Sequence, residues 1–285
     1  MTAIHCIRGR DPMYPELLAA IHDPPPQLFL RRTVLPELLD RPAVAVVGAR
    51  SCSPYGRSVA RSLSRDLAAT GLVVVSGMAR GVDGEAHRGA LDAGGATIAV
   101  LGCGIDRDYP AAHAELARRI VETGGLVVSE YEPGIEPAPW RFPARNRIIA
   151  GLCRATLVIE ARERSGALIT ADFALEEGRE VLAVPGEITS LLSAGTNALL
   201  RLGATPITCV EDVLESYGLE RSGVESVSLG PTAEKLWTRL AEGALTADEV
   251  VRASGVQPGE GAAALVELEL AGRVTLEDGV YRAAV

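Results

Sequence analysis

The sequence predicts an α/β protein: a doubly wound, mostly parallel sheet followed by a small winged-helix domain. Three observations predict it. Val44–Val47, Leu72–Val75, Thr97–Leu101, Leu126–Val128, Thr156–Ile159 and Val181–Val184 are short apolar runs without polar alternation. Such runs mark strands buried on both faces of a parallel sheet. Amphipathic stretches long enough for crossover helices, such as Tyr55 to Thr70 and Ala111 to Thr123, lie between them. Finally, the chain loses periodicity in a Ser/Gly-rich stretch and resumes as three helices and a hairpin.

Residues 1–40 contain Tyr14-Pro15-Glu16-Leu17-Leu18 and Pro24-Pro25-Pro26. They read as a short helix within an extended, proline-stiffened N-terminal arm. Residues 41–218 carry the β-α alternation and residues 219–230 the linker. Residues 231–285 carry the winged helix: helices from Thr232 to Glu242, Ala247 to Ser254 and Gly259 to Gly272, then a hairpin through Asp278-Gly279.

The 285 residues carry a formal net charge of -9, so a nucleic-acid site must be a local basic groove on an acidic body. Lys235 is the sole lysine and is followed by Leu236. That excludes a Walker A loop and a Schiff-base lysine in the sheet domain. Cys6, Cys52, Cys103, Cys153 and Cys209 are scattered without a Cys-x-x-Cys pair. The pattern argues against a zinc knuckle and a disulfide framework and suits a reducing compartment. No apolar signal core opens the chain, and no run is long enough to span a bilayer. The expectation is a cytosolic protein without membrane, metal or cofactor.

The functional signal is densest at Arg141-Phe142-Pro143-Ala144-Arg145-Asn146-Arg147, where three arginines and an asparagine surround one phenylalanine. Arginine forks match phosphate oxygens, and an aromatic face stacks any base. Other loops follow the expected strand ends, where doubly wound sheets bind ligands. Gly48-Ala49-Arg50-Ser51-Cys52-Ser53-Pro54 resembles a phosphate loop entering a helix, although it is not Gly-x-Gly-x-x-Gly. Ser76-Gly77-Met78-Ala79-Arg80 adds another arginine, and Ser165-Gly166-Ala167 offers a hydroxyl and backbone amides at a helix start. Asp83, Glu85, His87, Glu130 and Glu160 could move protons. The preferred reading for them is structural, because no Ser-His-Asp or metal-ligand spacing accompanies them.

These segments, with Val100-Leu101-Gly102-Cys103-Gly104, Tyr109-Pro110, Ser129-Glu130-Tyr131 and Ala183-Val184-Pro185-Gly186, resemble the DNA-processing DprA (Smf) family. The resemblance runs from Tyr14 to about Tyr217. It implies a Rossmann-like domain that binds single-stranded DNA, a homodimer, and loading of the RecA recombinase during natural transformation, without enzymatic activity. Carried over by position, the DNA-contacting candidates are Arg50, Gly77, Arg80, Phe142, Arg145, Asn146 and Arg147; Ser165 and Gly166 complete the expected site. Some relatives use a lysine just upstream of the phenylalanine, and Arg141 is the candidate replacement. A nucleotide-binding or nucleotide-hydrolysing enzyme of a related fold is the alternative. Pro185-Gly186-Glu187-Ile188 departs from the Pro-Gly-Gly-x-Gly-Thr loop such an enzyme would use.

The tail is unlike a DNA reader. Residues 231–285 hold five basic against nine acidic side chains, and the third helix has no arginine, asparagine or glutamine. It reads as a protein-contact or regulatory module.

Overall fold

The computed structural model describes residues 3–32, 36–219, 229–277 and 279–283. They fall into two compact units, within Met1–Arg221 and Ser222–Val285. In chain order the first contains β1 (Ala3–Arg8), α1 (Glu16–Ala19), β2 (Gln27–Arg32), β3 (Ala43–Val47), α2 (Pro54–Ala69), β4 (Val73–Ser76), α3 (Val82–Asp92) and β5 (Thr97–Leu101). It continues with α4 (Ala114–Glu122), β6 (Leu126–Ser129), α5 (Arg141–Gly151), β7 (Ala155–Val158), α6 (Gly166–Glu176), β8 (Glu180–Ala183), α7 (Ala194–Arg201), β9 (Thr205–Pro206) and α8 (Val210–Ser216).

The strands form one sheet in the order β1-β2-β6-β5-β4-β3-β7-β8-β9, parallel from β6 through β9. The chain lays β4, β5 and β6 outward on one side of β3, then returns to lay β7, β8 and β9 on the other. Ligands bind at such reversals, outside the carboxyl ends of the strands. Successive residues of β3 explain the missing polar alternation. Ala45 and Val47 enter one core cluster with Ile148 and Ile149 of α5, while Val44 and Val46 enter another with Val59 and Leu63 of α2. Both faces are covered by helices, as a doubly wound sheet requires.

The N-terminal residues differ from the expected arm. β1 pairs antiparallel with β2, and β2 pairs antiparallel with β6, so both strands extend the sheet. Burial alternates strictly along Gln27–Arg32, with Leu28 and Leu30 inward. That is the period of a strand with one covered face, and the prolines precede it rather than stiffen it.

The second unit contains α9 (Pro231–Glu242), β10 (Leu245–Thr246), α10 (Ala247–Ser254), α11 (Pro258–Leu270), β11 (Val274–Glu277) and β12 (Val280–Ala283). Leu236, Leu240, Val250, Leu265, Leu268 and Val274 form its core, beside a three-stranded sheet ordered β10-β12-β11. This is a winged helix. The expected linker falls mostly on residues outside those described, as does Asp278 of the hairpin turn.

Candidate nucleic-acid interface

A cleft of about 360 Å³ opens between the carboxyl ends of β3 and β7, at the reversal in strand order. The loop after β3 contributes Arg50, the start of α5 contributes Phe142, Arg145 and Asn146, and the loop after β7 contributes Arg162, Arg164, Ser165 and Gly166. Four arginines against one carboxylate, Asp83, make this wall basic on an acidic protein.

Arg50, Arg162 and Arg164 are exposed and, among the described residues, make no ion pair. The Arg50 guanidinium carbon lies 5.5 Å from the centroid of the Phe142 ring. Tyr109 stacks on the same ring, with centroids 5.2 Å apart at 24°. A β-carbon on Gly102 would come within 2.9 Å of Phe142 Cδ1, so a glycine is needed beneath the ring. Arg141, one residue earlier, is committed otherwise. Its guanidinium sits over Tyr131 at 5.1 Å and Trp140 at 4.7 Å and donates to the Glu136 carbonyl. Trp140 itself is 62% exposed.

Ser165 caps α6, its hydroxyl accepting from the Ala167 amide at 3.3 Å. Gly166 is exposed, with open space where a β-carbon would stand, so its backbone is approachable. Asn146, 8% exposed, donates from Nδ2 to the Gly166 carbonyl at 3.1 Å and ties α5 to α6 across the cleft floor.

Two arginines expected to meet phosphate are held by protein groups. Arg145 is 4% exposed, and its Nη1 donates to the Gly77 carbonyl at 2.8 Å and to the Val100 carbonyl. Burial pulls its guanidinium down to about 10, partly opposed by Asp83, so it stays charged at neutral pH. Burial pushes the Asp83 carboxyl up, with Arg145 and the Ala79 and Gly77 amides opposing. Gly77 is the space for this pair: a β-carbon there would meet Arg145 Nη2 at 2.5 Å and Asp83 Oδ2 at 2.8 Å. Arg147 is clamped by Glu130, at 2.9 and 2.8 Å, and by Asp23 at 3.0 Å. Its side chain is 12% exposed. Arg80 is exposed on the loop after β4 but outside the cleft lining.

Sequence reasoning named Arg145 and Arg147 and missed Arg162, Arg164 and Tyr109. A helical signal for Arg145 was available: it lies three and four residues before Ile148 and Ile149, on the apolar face of α5. The one signal for Arg162 and Arg164 is their position shortly after a strand end.

The groups that could move protons are likewise occupied. Glu130 holds Arg147, Glu160 accepts from Ser53, and Glu85 pairs with Arg88 at 3.0 Å. His87 Nδ1 lies 2.7 Å from Thr97 Oγ1, whose own proton goes to the Val74 carbonyl. Among the described residues, no cluster of His, Cys, Asp or Glu could hold a metal ion, and no helix is long and apolar enough to cross a membrane.

Residues 5–218 match the family model described as DNA recombination-mediator protein A, and residues 224–279 match the DprA winged helix domain. The chain belongs to the DNA recombination-mediator protein A family. Within that family, DNA processing protein DprA of Streptococcus pneumoniae is 47% identical over 207 residues, 73% of this chain and 72% of its own length. Protein Smf of Escherichia coli is 38% identical over 97% of this chain and 76% of its own. The putative DNA processing protein DprA of Mycobacterium tuberculosis is 43% identical over 84% of this chain, which spans 64% of that relative's length. The X-ray structure of the S. pneumoniae protein superposes with a TM-score of 0.70 at 46% identity, covering 74% of each chain. DNA processing protein A of Helicobacter pylori, whose structure concerns its single-stranded DNA binding mode, gives 0.67 at 30% identity. That match covers 76% of this chain and 98% of the other.

Proposed function

We propose that this chain binds single-stranded DNA in the cleft between β3 and β7, shields it, and hands it to the RecA recombinase in natural transformation. The observation that carries the binding step is the placement of Arg50, Arg162 and Arg164, without ion pairs among the described residues, in one cleft with the Phe142 ring at the reversal of the sheet. Arginine forks grip phosphates, and a ring accepts an unpaired base of any identity. A base reaches Phe142 by displacing Arg50 from it. An exposed cation–π contact is worth about 0.5–1 kcal/mol and a stacked base about 1–3 kcal/mol, so the exchange favours the base. The released guanidinium then turns to the adjacent phosphate.

The H. pylori relative's single-stranded DNA binding mode supports this reading, and the family's designation as a recombination mediator supports the RecA step. A homodimer acting in the cytosol completes the proposal. It is non-enzymatic, since Asp83, His87, Glu130 and Glu160 are held by structural partners.

Fluorescence anisotropy with matched single-stranded and duplex oligonucleotides tests the binding step. The single strand should bind far more tightly at the same salt; equal affinity for duplex overturns the reading. Turnover of nucleoside monophosphates to free base would replace it with a nucleotide-hydrolysing enzyme.

A further inference from the structure

In doubly wound sheets a ligand's phosphate rests on the N-terminus of the helix after the first strand, where free amides point outward. In this chain that helix is α2, capped by Ser53, and the carboxylate of Glu160 lies against its first turn. Glu160 follows β7 and is 3% exposed. Its Oε2 accepts from the Ser53 amide at 2.9 Å, and its Oε1 accepts from Ser53 Oγ at 2.5 Å. A β-carbon on Gly56, in the first turn of α2, would meet Oε2 at 2.2 Å and Cδ at 2.3 Å. The carboxylate therefore lies directly against the helix terminus, and glycine is what admits it. Its backbone is held as well, the Glu160 carbonyl accepting from the Ala49 amide at 2.8 Å. The residue is fixed on both sides of the phosphate-type loop.

We infer that Glu160 is a specificity residue, a built-in anion that fills the phosphate seat of α2 and excludes free nucleoside phosphates. A mononucleotide has one phosphate group to anchor it, and here the Ser53 amide serves the protein's own carboxylate while the Gly56 amide serves Ser53 Oγ. A second anion at the same terminus meets like-charge repulsion, a device that rejects a ligand rather than improving contact with another. A polymer is not excluded, because its phosphates have Arg50, Arg162 and Arg164 on the outer wall. The inference concerns the terminus of α2, next to the Gly48–Ser51 wall of the cleft, and stands apart from the single-strand reading. If oligonucleotides fail to bind, that reading falls while the exclusion of nucleotides can still be measured.

The experiment is a calorimetric titration of ADP, in magnesium-free buffer, into wild type, Glu160→Gln and Glu160→Ala, with a thermal melt of each protein. Glu160→Ala empties the seat, and its affinity for ADP should exceed wild type by about tenfold or more. Glu160→Gln keeps the shape and an acceptor for the Ser53 amide but removes the charge, and should fall between them. A gain of affinity cannot arise from loosened structure alone. A folded Glu160→Ala that gains nothing overturns the inference. Should the alanine variant fail to fold, a folded glutamine variant without gain overturns it equally. Wild type decides alone if neither variant folds: ADP or pyrophosphate that raises its melting temperature overturns the inference, and indifference to both supports it.

Discussion

The guanidinium of Arg50 stands 5.5 Å from the centre of the Phe142 ring, which joins the loop after β3 to the first turn of α5 across the mouth of the cleft. Arg50 is exposed and makes no ion pair among the described residues, so its charge is held at the ligand's entry. This makes cation and ring one unit rather than two independent contacts.

Arg50→Ala and Phe142→Ala should each weaken oligonucleotide binding, Phe142→Ala by about 1–3 kcal/mol for the lost stacked base. Arg50→Ala should leave folding stability within about 0.5 kcal/mol of wild type. The double variant should lose less than the sum of the two, since the residues touch. Anisotropy titrations of the four proteins check this; strict additivity would separate the pair.

Arg145→Ala should behave in the opposite way. Arg145 is buried on the Gly77 and Val100 carbonyls beside Asp83. Removing one member of a buried charged pair costs about 3–5 kcal/mol. Urea unfolding of the variant should show that loss, and a midpoint equal to wild type would return Arg145 to the ligand surface.

Salt dependence distinguishes free arginines from clamped ones. For single strands log K falls against log salt by about 0.7 per phosphate neutralised. Arg162→Ala and Arg164→Ala should each lower the slope by that amount. Arg147→Ala should leave the slope unchanged, because Glu130 and Asp23 already neutralise that guanidinium. A reduced slope in Arg147→Ala would show that DNA breaks those pairs.

His87 should make the protein acid-sensitive. Burial lowers its imidazole from 6.5 to about 3, with His113, Arg88 and Arg145 adding in the same direction. Since Thr97 gives its proton to Val74, His87 donates from Nδ1, and its buried Nε2 has no hydrogen-bond partner among the described residues. The unfolded chain therefore takes up the proton first. The contribution is complete above the unfolded value of 6.5 and is lost toward 3, at about 1.4 kcal/mol per pH unit. His87→Gln, which cannot titrate, should flatten the fall in stability between pH 6.5 and 5; an identical fall in both proteins would remove His87 as its source.

Removing residues 222–285, the second compact unit, should leave oligonucleotide affinity nearly intact. α11 carries no basic side chain, and acidic groups dominate the unit. Loss of that negative field can strengthen binding slightly. A several-fold loss of affinity in gel shifts of the truncated chain would assign the unit to the DNA interface.

The sequence by itself determined the doubly wound sheet, the winged helix and the loops that carry the cleft. Burial on both faces of β3 through β8 leaves apolar runs, and glycine- and arginine-bearing turns follow them at fixed places. The edge strands β1 and β2 were less legible, because one covered face yields only alternation and β2 finds its partner β6 far along the chain. Tertiary structure alone decided which arginines are free. A guanidinium carries five donors and binds whatever acceptors lie within reach. For Arg145 these come from Gly77 and Val100, and for Arg147 from Asp23 and Glu130, on segments that only folding brings together. Arg162 and Arg164 make no ion pair among the described residues, and they line the cleft.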